Sequence, residues 1–243
     1  MFRSYKWPPI TEAVVELRFQ QPLTTDLIEK LKGRFAQDFP LPPQTNVNFG
    51  VEFNQESTKV SREFGGYKLT SADGAGIVVI GPNAVSTSRL APYPGWDTFI
   101  SGAKANWDTW KRVVGKREVI RIGVRYINRI DLPNPDGGPI DVEDYFNFTP
   151  RTPRIGELPI SEYTMSVSAP LEVDDLRLVI NSSSHTNVLV KTNSFILDLD
   201  VSREKNVPQR ENELWECIDQ IRLHKNAVFE ACLTDRTRKL FES

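Results

Sequence analysis

The sequence predicts an α+β fold, an antiparallel sheet backed by amphipathic helices, on three observations. Short runs of alternating apolar and polar residues are cut by turn residues at hairpin intervals. Two longer stretches, near 96–114 and 209–233, carry apolar residues at helical spacing. The order of elements also occurs twice: strand, helix, four strands, helix in 1–117, then strand, short helix, three strands, long helix in 118–243. No residue-level similarity joins the halves, so the duplication is one of element order, and both halves are expected within one compact unit. The preferred arrangement is a saddle-like sheet with the first strand beside the strand at 120–130. The alternative is a helix-grip fold, in which a curved sheet wraps the last helix around a cavity.

The elements follow from local chemistry. Trp7-Pro8-Pro9-Ile10 is an extended entry, because proline fixes φ and keeps the preceding residue out of the helical region. The first strand, 11–19, places Ala13, Val15, Leu17 and Phe19 on one face and Glu12, Glu16 and Arg18 on the other. Thr24, Thr25 and Asp26 offer N-caps and an acidic first turn to a helix over 25–37 that carries Ile28, Leu31 and Phe35. Four strands are expected at 46–55, 58–71, 77–80 and 84–90, with Gly65-Gly66 marking a bulge in the second. The helix from Trp96 to Val114 puts Trp96, Trp107 and Trp110 on one stripe, and Gly115 stops it.

The longest alternation is 120–130, Ile-Arg-Ile-Gly-Val-Arg-Tyr-Ile-Asn-Arg-Ile. Ile120, Ile122, Val124, Tyr126, Asn128 and Ile130 are expected to face the core, with Arg121, Arg125 and Arg129 facing away. The segment 133–139 reads as a loop, 141–146 as a short helix, and 147–159 as irregular. Strands are expected at 161–173, 176–182 and 187–201, with Asp174-Asp175 as a hairpin turn. A long helix over 209–233 carries Leu214, Ile218, Ile221, Val228 and Cys232, and a final turn begins at Thr234.

Composition narrows the function classes. Thirty Lys and Arg against 32 Asp and Glu give a net charge of −2, without the global basic pull that nucleic-acid binding favours. Cys217 and Cys232 fall on one helix roughly 22 Å apart, too far for a bridge, so both read as free thiols of a reducing compartment. No apolar leader opens the chain and no apolar run reaches spanning length, so a soluble, cytoplasmic protein without membrane association is expected. There is no GxxxxGK[ST], GxGxxG after a strand, HExxH, GxSxG or paired-cysteine motif. His185 and His224 are the only histidines. No cofactor, metal or catalytic residue is assigned.

Several segments carry a resemblance. Pro8-Pro9-Ile10-x-Glu12-Ala13-x-x-Glu16-x-Arg18-Phe19, the tryptophan helix, and Arg121-x-Gly123-x-Arg125-Tyr126-x-Asn128-Arg129-Ile130 resemble an uncharacterised, sporadically distributed family of bacterial proteins. The ending Leu223-His224-x-x-x-x-Phe229 with Leu233-Thr234 is similar too. The resemblance implies no chemistry. Its sporadic distribution implies accessory genes of the defence or toxin–antitoxin kind.

The candidate binding residues are Arg121, Arg125, Arg129, Glu12, Glu16, Asp198 and Asp200. Guanidinium forks suit carboxylate and phosphate, so the arginine row reads either as a surface for an acidic partner or as a charge ladder closed by Glu12 and Glu16. Asp198 and Asp200 share the outward face of their strand, where a solvated or arginine-paired pair competes with a metal or acid–base reading. The tryptophan stripe is first of all core. The expected function is a non-catalytic interaction protein with a protein partner, and exposed sheet edges allow a homodimer. The competing reading is a small-molecule binder or enzyme built on the helix-grip cavity.

Overall fold

The structure, a computed structural model, describes the backbone of residues 5–53, 58–134, 140–151, 162–173, 175–185 and 192–242. The side chains described are those of the same residues other than 48–53, 58–62 and 185. Residues 135–139 of the loop expected at 133–139, residues 152–159 of the irregular segment expected at 147–159, and Asp174 lie outside them. In chain order the elements are β1 (Ile10–Phe19), α1 (Thr25–Phe35), β2 (Gln44–Phe53), β3 (Thr58–Thr70), β4 (Gly76–Ile80), β5 (Ala84–Leu90) and α2 (Trp96–Val114). Then come β6 (Val119–Pro133), a 3₁₀ turn at Val142–Asp144, β7 (Thr164–Pro170), β8 (Leu176–His185), β9 (Thr192–Arg203), α3 (Glu211–Cys232) and α4 (Asp235–Leu240).

The fold is α+β, an antiparallel sheet with helices, as the patterning predicts. Its nine strands run in the order β2-β3-β4-β5-β1-β6-β9-β8-β7, so β1 does neighbour β6. The chain divides into two compact units, 14–122 and 1–13 with 123–243, and both β1 and β6 contribute residues to each.

In the unit 14–122, α1 starts where Thr24 accepts the Leu27 N–H and buries Ile28, Leu31 and Phe35. The stripe of α2 buries Phe99, Ile100, Ala103, Trp107, Trp110 and Val114. Trp107 and Trp110 stack with ring centroids 4.9 Å apart, and Phe19 of β1 stacks on Trp110 at 4.3 Å. Two of the three stripe tryptophans are therefore core, while Trp96 is half-buried at the helix start against Phe99. The bulge expected at Gly65-Gly66 is present. Asn46 pairs with Gly66 and Val47 with Phe64, which leaves Gly65 as the extra residue. Gly66 has φ 101, and a Cβ there would sit 1.9 Å from the Ile80 carbonyl oxygen.

One expectation fails in β6. Ile120 is 41% exposed, and Val119 is buried in its place, followed by Ile122 and Val124. Two residues separate Val119 from Ile122, so the alternation is out of step at the start of the strand and regular from Ile122 onward.

In the unit 1–13 with 123–243, α3 packs on β9, burying Leu214, Ile218 and Ile221 against a strand whose Leu197, Leu199 and Val201 are also buried. Val228 is only half-buried, and Lys225 and Phe229 are buried beside it. Tyr5 anchors the entry segment, with its ring edge against Phe229 and Phe241 and its hydroxyl donating to Glu230 at 2.8 Å.

Candidate functional site

The arginines of β6 lie on the side away from the apolar residues of 122–132, with Arg125 exposed and Arg121 and Arg129 half-buried. Each guanidinium finds a carboxylate within the chain. Arg121 donates from Nη1 to Glu16 Oε1 at 2.6 Å, and Arg18 donates to the same oxygen at 2.7 Å. Arg125 makes a bidentate pair, Nε to Asp198 Oδ1 and Nη2 to Asp198 Oδ2, both at 2.7 Å. Arg129 donates from Nε to Asp131 Oδ1 at 3.0 Å and from Nη2 to Ser194 Oγ at 3.2 Å, while Ser194 itself donates to Asp131.

The centre of this row in the second unit is Arg125. Asp198 beneath it is 4% exposed and accepts a further hydrogen bond from Asn181 Nδ2 at 3.0 Å. The Arg125 side chain remains 47% exposed. Hydrogen bonding to Asp198 raises its already high pKa, with Asp200 and Glu12 adding to the same effect. Two of its nitrogens are held by Asp198, so Nη1 and the flat faces of the guanidinium are what it can offer outward.

The seven candidate residues thus fall into two groups. Glu16 meets Arg121 in one unit. Arg125 and Asp198 meet in the other, with Glu12 and Asp200 acting on Arg125 through space and Arg129 turned to Asp131 and Ser194. Sequence reasoning offered the arginines Glu12 and Glu16 as partners and read Asp198 and Asp200 as solvated or arginine-paired, without naming which arginine, and it missed Asp131. Arg129 and Asp131 share a face by strand parity, which was the available signal.

No protein-family model and no curated protein matches the chain. Among the described residues, no group of three or more His, Cys, Asp or Glu side chains is placed to hold a metal ion. No helix among them is long and apolar enough to cross a membrane. His224 is half-buried on α3, and the His185 side chain lies outside the described residues. The serines near His185 are engaged structurally. Ser182 Oγ lies 3.0 Å from the Tyr163 hydroxyl, and Ser184 Oγ accepts the Tyr163 N–H. A shallow open depression of about 390 Å³ beside the β7–β8 turn carries Glu172, Asp175 and Glu204 with Arg177 and Lys205, a mixed set that singles out no ligand charge.

The residue least expected from sequence is Lys225. It is buried on α3, with Nζ 3.4 Å from the centroid of the Tyr126 ring. Burial pulls its pKa down to about 7, the neighbouring Arg222 pulls in the same direction, and Glu230 opposes them. Its signal is positional, since 214, 218, 221, 225, 228 and 232 step by four and three along one stripe.

Proposed function

We propose that the protein is a non-catalytic interaction protein, and that the outward face around Arg125 receives a protein partner. The carrying observation is the fixed yet half-exposed guanidinium: two parallel hydrogen bonds to nearly buried Asp198 hold Arg125 in one orientation on a sheet strand. A pre-ordered arginine loses little conformational freedom on binding, and arginine is enriched in protein interfaces. Its outward edge fits main-chain carbonyls, a carboxylate or an aromatic ring of a partner.

The internal pairing of Arg121, Arg125 and Arg129 disfavours a nucleic-acid reading, which draws on uncompensated cations. Cytoplasmic placement is part of the proposal, supported by two buried free thiols at Cys217 and Cys232. Membership of a defence or toxin–antitoxin type locus rests on the motif resemblance alone.

Affinity purification of the tagged full chain from its source cells tests this reading. A protein retained by the wild type and by Arg18→Ala, but lost with Arg125→Glu, is the expected result. Equal retention by Arg125→Glu overturns the assignment of this face.

A further inference from the structure

Strand β7 is one end of the strand order, hydrogen-bonded to β8. Its sequence, Thr-Met-Ser-Val-Ser-Ala-Pro, contains no charged residue, and Thr164, Ser166, Val167, Ser168 and Pro170 are all exposed. Edge strands are ordinarily guarded by charges, bulges or a covering segment. Here the register with β8 runs without a shift from Thr164 opposite Ser183 to Pro170 opposite Arg177.

The ends of that ladder show which backbone groups face away from β8. Ser184 N–H donates to the Tyr163 carbonyl at 3.0 Å, and Leu171 N–H donates to the Leu176 carbonyl at 2.8 Å. In an antiparallel pair, hydrogen-bonded residues alternate with residues whose N–H and C=O point the other way. Odd-numbered residues of β7 therefore bond to β8, and Thr164, Ser166 and Ser168 turn their backbone groups away from it, to a side where no other strand of the described residues pairs. Pro170 also has its ring nitrogen on that side, where no donor is needed by β8.

We infer that β7 is a self-pairing edge: a second copy of this chain joins it antiparallel, about a two-fold axis at Ser166. This register sets Ser166 opposite its own counterpart and Thr164 opposite the other copy's Ser168, so each of these three donors meets an acceptor of the other copy. On one face, Met165 lies across from Val167 of the other copy, an apolar cross-strand pair made twice by the symmetry. On the other face, the Thr164, Ser166 and Ser168 hydroxyls meet one another. An axis at Val167 instead would place Pro170 opposite Thr164, so that the missing donor falls inside the strand, whereas the axis at Ser166 places Pro170 opposite Glu162, beyond the strand's end. The inference uses backbone groups of a different strand from the Arg125 face, and its failure leaves that reading untouched.

Sedimentation equilibrium of the full chain, wild type against Val167→Lys, tests it. The wild type is expected at twice the chain mass and the variant at the chain mass, because a lysine at the seam replaces the apolar contact with like charges. A monomeric wild type, or a dimer that Val167→Lys leaves intact, overturns the inference. Amide exchange needs no variant: protection at Thr164, Ser166 and Ser168 should appear on concentration and vanish on dilution, and fast exchange throughout is contradictory. Disulfide trapping reads the register, since facing residues at a non-hydrogen-bonded site lie about 4.5 Å apart between Cα atoms. Met165→Cys with Val167→Cys should cross-link while Val167→Cys alone should not; cross-linking of Val167→Cys alone would refute the axis at Ser166.

Discussion

Asp198 is a carboxylate at 4% exposure whose charge is met by one half-exposed guanidinium and one amide. Removing that guanidinium leaves an anion with its water already gone, whereas removing both partners leaves little to satisfy. Arg125→Ala should cost about 2 kcal/mol in urea unfolding, a figure held down by solvent screening on the arginine side. The double variant Arg125→Ala with Asp198→Asn should recover most of it, and a double variant no more stable than the single would disprove the pairing. Lys225 runs the opposite way. Its ammonium is buried against the Tyr126 ring, and its pKa falls from 10.5 to about 7 on folding. Between those values the unfolded chain binds the proton more fully, so stability rises with pH across that window and the whole penalty is present below about 7. Lys225→Met should therefore gain on the order of 2 kcal/mol at neutral pH and lose this rise, as thermal unfolding at several pH values would show. The Arg129–Asp131 pair is legible from parity within one strand. Arg125–Asp198 is not, because it requires knowing that β6 and β9 are neighbours in the sheet.

The elements themselves are legible because their periods are clean. Alternation over 11–19, the helical stripe of 96–114 and the turn residues that bound 84–90 leave few other solutions, and β1, β5 and α2 end within a residue of expectation. The reading fails where a local irregularity shifts the phase. Ile120 belongs to an apparently regular run, yet Val119 takes the core position, and nothing in residue types alone separates the two. Val228 and Lys225 on α3 show the same weakness: hydrophobicity ranks valine above lysine for the core, while helix geometry and the Tyr126 ring put the lysine there. The bulge at Gly66 is the clearest sequence-to-backbone link. Gly66→Ala must place a Cβ 1.9 Å from the Ile80 carbonyl at φ 101, so it should destabilise the unit 14–122 by at least about 2 kcal/mol. Loss of amide protection in β3 and β4 ahead of α3 and β9 would check this, and unchanged protection would contradict it.

For the whole molecule the net charge is −2, and in the unit 1–13 with 123–243 Arg125 and Arg129 are closed by their own carboxylates, a polar face whose charge is largely balanced internally. Such a face selects by shape and hydrogen-bond direction more than by long-range attraction, so its binding should depend only modestly on salt. The direct measurement is the dissociation constant between the purified full chain and the protein it captures, wild type against Arg125→Lys. Lysine keeps a cation over Asp198 but loses the planar fork, and the account predicts binding weaker by about tenfold or more with the unfolding midpoint little changed. Equal affinity of the two chains for that partner would contradict the claim that the Arg125 face is where it binds.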